Sequence, residues 1–527
     1  MSDPGAVVHE VEEHLRPVEV ALGYAWWESN TRVSEDADRR REELEIERRR
    51  ILGDPARLER VRDAMDRADG LERRQLDVVA RAMTPNQVDD EARRELSRLE
   101  TGVESTYVRH RGDIDGRAVS DNDIEKILIA ADDVDLRRQA WEASKSVGAA
   151  AAPDVLELVR LRNEIARSLG HRDHYAMALA LDELDEQRLF ATLEDVDRAT
   201  AAAFAEWKDD LDGRLAHRFA CATGDLRPWH YDDPFFQEPP VTGRISLDDR
   251  FAHSDIEGLT VRTFEGMGID LRPVLERSDL YGREGKNQHA FCIHLDREGD
   301  VRVLCNVVAN ERWMATMLHE FGHAAYDRGL SRDVPFLLRE PAHMLVTEAV
   351  AMLFGRLARR PDWLAEIAGV DGGAGEGGRG GLHDELWRAE QVSMLVFARW
   401  VLVMTHFERD LYRDPGGDHD TRWWDLVERF QLVRRPEGRA APDWAAKIHL
   451  AVAPVYYQHY LSGELLASQL EASLRDDAGG IVGRADAGAW LGERIFAPGN
   501  SLRWDRLIER ATGHELTARH FVAAYAG

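Results

Sequence analysis

Residues His319-Glu320-Phe321-Gly322-His323 read H-E-x-x-H and lie in a proline-free run from Trp313 to Tyr326. The run mixes apolar and polar residues and predicts one partly buried helix. On a helix, residues four apart lie on the same face, so both imidazoles can reach one tetrahedral metal ion. Glu320 is rotated by about 100° from His319, where it can contact a water molecule without ligating the metal. The pattern therefore predicts a buried helix that carries a zinc-hydrolase site.

A zinc hydrolase needs a third protein ligand and one coordination position left open. Glu348 is near the start of the amphipathic run T-E-A-V-A-M-L-F, which predicts a second helix packed antiparallel against the first. We predict one Zn²⁺ ion bound by His319, His323 and Glu348, because two imidazoles and a carboxylate suit zinc. Histidine ligands also need an outer-shell acceptor. Asp327 and Glu340 are the candidates, although Glu340 could equally form a surface salt bridge.

Composition excludes several classes of partner. The 527 residues include 69 Lys and Arg against 97 Asp and Glu, a net charge of −28, which repels nucleic acid and anionic membranes. The most apolar stretch, Ser393–His406, is short and contains Arg399, so it predicts a core helix and no membrane span. The N-terminal residues do not resemble a signal peptide, and three cysteines are few. We expect a cytoplasmic protein; the sequence leaves the oligomeric state open.

Helical periodicity dominates the chain and predicts a mainly α fold. Residues 8–66 and 71–100 are rich in Glu, Asp and Arg at i,i+3 and i,i+4 spacing, with Leu44, Ile46, Ile51 and Leu58 between them. These helices are expected on an outer face, as a solvated surface or a lid, with boundaries at Asp54-Pro55 and Thr84-Pro85. Further helices are expected at 121–145, 153–169, 186–218, 255–267, 310–328, 346–358, 384–412, 421–432 and 456–474.

One β-hairpin is predicted just before the zinc helix. The runs 289–295 and 301–307 flank the Gly-containing connection D-R-E-G-D. If the turn centres on Glu298 and Gly299, Cys292 and Cys305 face each other, and we expect a reduced cross-strand thiol pair.

Two further segments read as loops. Residues 369–381 are rich in glycine and predict a flexible loop; without a P-loop lysine they do not predict a phosphate site. The aromatic run W-H-Y-D-D-P-F-F at 229–236 lies in a loop at 222–244, which either lines a cleft or is simply packed.

The order H-E-F-G-H, L-L-R-E and T-E-A-V resembles the angiotensin-converting-enzyme family of zinc peptidyl dipeptidases. The elements H-A at 289–290, W-W-D-L at 423–426 and D-W-A-A-K-I-H at 443–449 are similar to that family as well, and so is A-W-W-E-S-N-T at 25–31. The resemblance is strongest from about 289 to 470. It implies a large helical ellipsoid with a deep central cleft and a small hairpin next to the zinc helix.

The resemblance also implies a domain organisation. It indicates a single peptidase domain over 1–527 made of two helical subdomains. Residues 1–110 would be a charged, lid-like helical region, and residues 245–475 would form the zinc- and substrate-binding core.

The resemblance assigns roles to individual residues. His289 and Ala290 would hold substrate, Lys447 and Tyr456 would bind the substrate's C-terminal carboxylate, and His449 would bond an amide carbonyl. Glu320 would act as general base and acid. A tyrosine near 460 would donate to the oxyanion: an ungapped match places His459 there, whereas one inserted residue places Tyr460, which we favour, with Tyr457 second.

Three positions depart from the family pattern. No glutamine for the carboxylate site is found at 250–275, Gln458 stands where the family's chloride-binding arginine is expected, and Met352 replaces an acid one turn after Glu348. Chloride activation is therefore not expected.

These observations predict a zinc-dependent metallopeptidase that hydrolyses short peptides and releases dipeptides from a free C-terminus. The alternatives are a thimet-type oligopeptidase or a metallocarboxypeptidase of the same fold; H-A-A-Y-D-R-G-L after the motif is similar to the latter. A further alternative is a pathway-specific or non-peptidase zinc protein on this scaffold.

Overall fold

The computed structural model describes residues 3–240, 246–370 and 381–527. It is 69% helical, which confirms the predicted mainly α fold. The described helices are α1 (Pro4–Thr31), α2 (Glu35–Leu52), α3 (Pro55–Met65), α4 (Gly70–Met83), α5 (Asp90–Arg109), α6 (Asp121–Ala130), α7 (Val134–Ser168), α8 (His174–Leu181), α9 (Glu186–Arg218), α10 (Asp248–Phe251), α11 (Ile256–Glu265), α12 (Arg272–Leu275), α13 (Glu311–Gly329), α14 (Met344–Gly355), α15 (Pro361–Glu366), α16 (Leu382–Arg413), α17 (His419–Gln431), α18 (His449–Val452), α19 (Tyr457–Ala478), α20 (Ala485–Leu491), α21 (Trp504–Thr512) and α22 (Arg519–Tyr525).

The described strands form two antiparallel hairpins. They are β1 (Gly112–Ile114) with β2 (Arg117–Val119), and β3 (Phe291–His294) with β4 (Val301–Leu304). The predicted glycine-rich loop at 369–381 lies almost wholly outside the described residues.

The chain forms two compact units, each built from separate segments. Unit 1 comprises Met1–Gln87, Ile245–Trp387 and Ser462–His520. Unit 2 comprises Val88–Arg244, Arg388–Leu461 and Phe521–Gly527. The predicted ellipsoid, the central cleft and the lid-like role of residues 1–110 stay predictions.

The N-terminal helices of unit 1 share a hydrophobic core. Side chains of α1, α3 and α4 pack with Phe336 and Leu337. Of the thinly spaced apolar residues in this region, Leu44, Ile51 and Leu58 are buried, whereas Ile46 is 58% exposed. The apolar face of these charge-rich helices therefore holds unit 1 together, while most of their charged residues face solvent.

Several helix boundaries agree with the sequence expectations, and one pair does not. α9 covers the predicted 186–218, and α3 begins at Pro55 with Asp54 as its N-cap. The expected helices 121–145 and 153–169 are instead α6 and a 35-residue α7 that begins after the N-cap Asp133 and contains Pro153. Packing of α7 along α5 and the 3₁₀ turn Asp443–Ala446 outweighs the local cost of an internal proline.

The register of the β3–β4 hairpin corrects the predicted thiol pair. Cys292 lies opposite Val303, so it does not lie opposite Cys305. The turn centres earlier than expected because the Asp296 carboxylate accepts the backbone N–H groups of Glu298 and Asp300. Cys305 is two residues beyond the partner of Cys292, on the same face, and both thiols are free.

Gly148 of α7 permits a close backbone contact within unit 2. A Cβ atom at this position would lie 2.4 Å from the carbonyl oxygen of Pro442 and 3.0 Å from the amide nitrogen of Ala446. The 3₁₀ turn before Lys447 can therefore pack directly on the helix only while residue 148 lacks a side chain.

We predict that Gly148→Ala lowers the free energy of unfolding of this unit by about 2 kcal/mol, because backbone has to shift to admit the methyl group. Gly213→Ala is the matched control, since Gly213 is exposed in α9 and nothing lies within 4 Å of its added Cβ. The control should be stabilising by up to about 1 kcal/mol. Urea unfolding followed by circular dichroism measures both; equal effects of the two substitutions would contradict the proposed packing constraint.

Candidate metal centre and substrate-contact residues

The two histidines and Glu348 converge between α13 and α14. His319 and His323 lie one turn apart on α13, with ring centroids 5.0 Å apart. A Glu348 carboxylate oxygen is 3.7 Å from His319 Nε2, and the other is 3.8 Å from His323 Nε2. Each of the three residues offers a ligand atom within 4.8 Å of the other two. The structure thus brings together the three ligands predicted from sequence.

Gly322 within H-E-F-G-H allows α13 to approach α14 this closely. A Cβ at Gly322 would lie 3.0 Å from both Ala351 Cα and Phe354 Cδ2, tighter than ordinary van der Waals contact. The ends of both helices are also fixed. Asn310 caps the start of α13, and the His343 side chain accepts the N–H of Leu345 at the start of α14.

The donor set fits a zinc ion. Three donors about 2.1 Å from one tetrahedral ion lie roughly 3.4 Å apart, slightly less than the 3.7 and 3.8 Å measured from the imidazoles to Glu348. Small side-chain rotations close that difference. Burial lowers the pKa of His319 to about 4 and that of His323 to about 3, so both imidazoles are neutral with lone pairs available at neutral pH.

Thr347 is a neighbour of the zinc ligands that the sequence analysis missed. Its Oγ1 is 2.7 Å from Nδ1 of His323, so the Nδ1–H can donate to the hydroxyl while Nε2 faces Glu348. The candidates proposed for this role make other contacts. Asp327 accepts from the Cys292 thiol at 3.9 Å, and Glu340 forms an ion pair with Arg297. In the sequence, the position of Thr347 next to Glu348 is the one signal that could have indicated it as the hydrogen-bond partner of His323.

Glu320 occupies an apolar position beside the ligands. It is 8% exposed, and burial together with the carboxylate of Glu348 raises the pKa of Glu320 to about 8. The backbone N–H of Cys292 in β3 donates to it and acts in the opposite direction. A cation ligated by Glu348 would cancel the repulsion between the two carboxylates and favour ionised Glu320.

A cavity of about 580 Å³ in unit 1 contains the metal ligands and Glu320. Strand β3 forms one wall, with Ala290 at its start and Cys292 within it. His289 is exposed, and its backbone N–H bonds the side chain of Asn287. Ala290 therefore lines this cavity, whereas His289 does not, and a substrate contact of either residue stays a prediction.

Lys447 and His449 line a different cavity, of about 850 Å³, in unit 2. Lys447 Nζ donates to Gln237 Oε1 at 2.8 Å and lies 5.2 Å from the ring centroids of Phe235 and Trp400. Burial lowers the pKa of Lys447 to about 8, which leaves it mostly charged at neutral pH. A glutamine was sought at 250–275 for the carboxylate site; the glutamine beside Lys447 is Gln237, which lies before that range.

The aromatic loop contributes to the same cavity. Residues between Asp232 and Pro239 line it, Phe235 among them, whereas His230, Tyr231 and Phe236 are buried in the packed interior. The run 229–236 is therefore packed over most of its aromatic residues and reaches the cavity at Phe235. The Asp233 carboxylate accepts the backbone N–H groups of Phe235 and Gln237 as well as the Gln237 side chain. These three bonds fix the position of Gln237 beside Lys447.

The tyrosines cluster at the start of α19. The ring of Tyr460 lies 5.2 Å from that of Tyr456 and 5.5 Å from that of Tyr457. Tyr457 is buried between Trp400 and His449, and this burial raises its pKa. His459 forms an ion pair with Asp182 at 2.8 Å. The ungapped alignment assigns the oxyanion role to His459, which contacts Asp182 instead. The alignment with one inserted residue assigns that role to Tyr460 and is compatible with this contact.

Two family models match the chain. The model described as angiotensin-converting enzyme matches residues 3–199, and the model of peptidase family M3 matches residues 275–527, which include His319, His323 and Glu348. Both matches are to metallopeptidase families, and together they support an angiotensin-converting-enzyme-like or M3 zinc metallopeptidase. No curated protein matches the chain in a sequence search. Within residues 3–199, which match the converting-enzyme model, the sequence analysis found one short element, A-W-W-E-S-N-T at 25–31. The residues that contain the H-E-x-x-H motif match family M3.

Other features of this metallopeptidase bear on the family comparison. Met352, where an acid was expected, packs against Gly463, whose added Cβ would lie 3.2 Å from the Met352 sulfur. Gln458 donates its amide N–H to the carbonyl of Val455, and its buried Oε1 has no hydrogen-bond partner in the described chain. An orphan oxygen does not attract chloride, but independence of chloride stays a prediction. No described helix has the length and apolar character to cross a membrane.

We predict that Thr347→Val weakens zinc binding to this metallopeptidase about tenfold, because the hydrogen bond that orients His323 is lost while side-chain volume is retained. Thr347→Ser keeps the hydroxyl and should bind zinc as wild type does. Competition with a chromogenic chelator measures both affinities. Equal affinities of the two variants would show that Thr347 does not support His323.

Proposed function

We propose that the protein is a zinc-dependent peptidase that hydrolyses short peptides and releases dipeptides from a free C-terminus. The observation that carries hydrolysis is the convergence of His319, His323 and Glu348 next to buried Glu320 in one cavity. The match to two peptidase families supports peptides as the substrate class.

Each residue of the cavity has a proposed task. A zinc ion bound by the three ligands would supply Lewis-acid activation of a carbonyl and of a water molecule. Glu320 accepts the proton of the attacking water and transfers it to the leaving amine. Its buried setting favours this cycle, because desolvation strengthens a carboxylate as a proton acceptor. The backbone of Cys292 lies against Glu320 and favours its ionised form.

The substrate contacts are proposed for both units. Ala290 and His289 would hold the peptide backbone along strand β3. Lys447 and Tyr456 would bind the C-terminal carboxylate, and His449 would donate to an amide carbonyl. The partly desolvated ammonium of Lys447, flanked by Phe235 and Trp400, supports the carboxylate role because a charge in such a setting binds an anion more strongly than one in water.

The oxyanion donor is proposed to be Tyr460, with Tyr457 second. Tyr457 is buried against Trp400 and His449, whereas Tyr460 is only partly buried and can reach a ligand with less rearrangement. A phenol donor aimed at the developing oxyanion lowers the barrier because it is placed before the reaction occurs.

A second candidate is an oligopeptidase that cuts within peptides. The specific observation in its favour is that the zinc-bearing residues 275–527 match family M3, whereas the converting-enzyme model matches only 3–199. The two candidates share the zinc chemistry and differ in whether Lys447 anchors the end of the substrate.

We predict that the zinc-loaded protein removes dipeptides from free-acid peptides and cuts their C-terminally amidated forms about 100-fold more slowly, because the amide offers Lys447 no charge. Lys447→Met should lower kcat/KM for the free acid by a similar factor and leave the amidated peptide nearly unchanged. Mass spectrometry of the products distinguishes dipeptide, single-residue and internal cleavage.

The control for charge alone is Lys126→Met, an exposed lysine of α6 in the same unit. It should leave both rates unchanged. Equal internal cleavage of free-acid and amidated peptides would remove the anchoring role of Lys447 and leave the oligopeptidase candidate. Absence of any peptide hydrolysis by zinc-loaded wild type would contradict both.

A further inference from the structure

Val455 has an unusual backbone conformation immediately before the tyrosine cluster. Its φ of 55° is in the left-handed region, which β-branched residues rarely adopt. Seven described non-glycine residues have positive φ, and Val455 alone among them is β-branched. The residue that follows is Tyr456, and α19 begins at Tyr457. Any change in the backbone at Val455 would therefore redirect the tyrosines.

Two buried side chains hold this conformation from both sides. The carboxylate of Glu408 in α16 accepts the N–H of Val455 at 2.7 Å, and the amide of Gln458 donates to its carbonyl. Each side chain belongs to a residue that is only 1% exposed. A strained residue persists only where its surroundings fix it. We refer to Glu408, Val455 and Gln458 as the Val455 clamp.

The cost of burying Glu408 indicates that its contact serves a purpose. Burial raises the pKa of Glu408 to about 8, and the only described groups that act against this are the Val455 N–H and the charge of Arg162. An apolar residue would fill the same space without that cost. Within the part of the chain that the structure describes, the hydrogen bond of Glu408 is directed at the backbone of Val455.

Arg162 fixes the chain between His449 and Val455. Its guanidinium, in α7, donates to the carbonyl oxygens of Leu450 and Ala451 at 3.3 and 2.6 Å. The segment from His449 to Tyr457 is thus held at two points by buried ionisable side chains within unit 2. This segment contains His449, Tyr456 and Tyr457, for each of which a substrate contact is proposed.

We propose that Glu408 is a positioning residue: through the Val455 clamp it fixes the orientation of Tyr456, Tyr457 and Tyr460 for catalysis. This inference rests on the proposed peptidase function. An oxyanion donor is effective only when its hydroxyl is preorganised, and a displacement of about 1 Å can cost about 100-fold in rate. Glu408 contacts no substrate and acts through the backbone of Val455.

Substitution of Glu408 tests the clamp. Glu408→Gln keeps an oxygen that can accept the Val455 N–H, so kcat should stay within about threefold of wild type. Glu408→Ala removes the acceptor, and kcat should fall at least about 30-fold. Wild-type kcat in Glu408→Ala would overturn the proposal.

A double variant separates positioning from simple stabilisation. Glycine adopts φ near 55° without strain but loses the buried Val455 side chain, so Glu408→Ala/Val455→Gly is compared with Val455→Gly alone. Glu408→Ala should lower thermal stability less in the Val455→Gly background than in wild type, and the double variant should not regain kcat, because a flexible glycine does not fix the tyrosines. Recovery of kcat together with stability would overturn the positioning role and leave a structural one.

A third measurement does not depend on catalysis. In protein labelled with 3-fluorotyrosine, the ¹⁹F resonances of Tyr456 and Tyr460 should be sharp in wild type and Glu408→Gln, and shifted or broadened in Glu408→Ala. The resonance of Tyr24, in unit 1, serves as the control. If wild type hydrolyses no peptide, the proposed function fails while these spectra still decide the clamp: unchanged Tyr456 and Tyr460 resonances in Glu408→Ala would overturn it.

Discussion

The close approach of α13 and α14 at Gly322 is the constraint on which the metal centre depends. Because Gly322 has no side chain, the backbone of α13 lies directly against Ala351 and Phe354 of α14. At this separation, the carboxylate of Glu348 lies within 3.8 Å of both imidazoles. A larger residue would move the third ligand away from the first two. The spacing of His319 and His323 is a property of one helix, but the third ligand requires this contact between two.

Buried ionisable groups recur wherever the proposed chemistry needs a fixed geometry. Burial keeps His319 and His323 neutral and raises the pKa of Glu320 toward the range in which a general base works. In unit 2, buried Glu408 and Arg162 are used differently, because their hydrogen bonds are directed at backbone groups near His449 and Tyr456. The proposed account thus uses buried ionisable side chains both for reactivity and for positioning.

Local sequence patterns predicted the features that depend on local structure. Periodicity and spacing predicted the helical class and the convergence of His319, His323 and Glu348, and the structure brings these three residues together. The identity of the residue next to Lys447 was not found, because Gln237 reaches it from a distant loop whose conformation is set by Asp233. The predicted pairing of Cys292 with Cys305 was wrong, because the Asp296 side chain shifts the hairpin turn and Cys292 lies opposite Val303. The left-handed Val455 and its buried partner Glu408 have no sequence signature, since their contact joins residues far apart in the chain.

The central claim is that Glu320 performs proton transfer at a zinc ion held by His319, His323 and Glu348. The most direct test combines the zinc content of purified Glu320→Gln with its turnover of a free-acid peptide. Glu320 is not a ligand, so the variant should bind one zinc ion per chain as wild type does, and its kcat should fall by at least about 1,000-fold. Full zinc content with unchanged turnover would contradict the account and favour a zinc-bearing scaffold whose activity does not depend on this carboxylate.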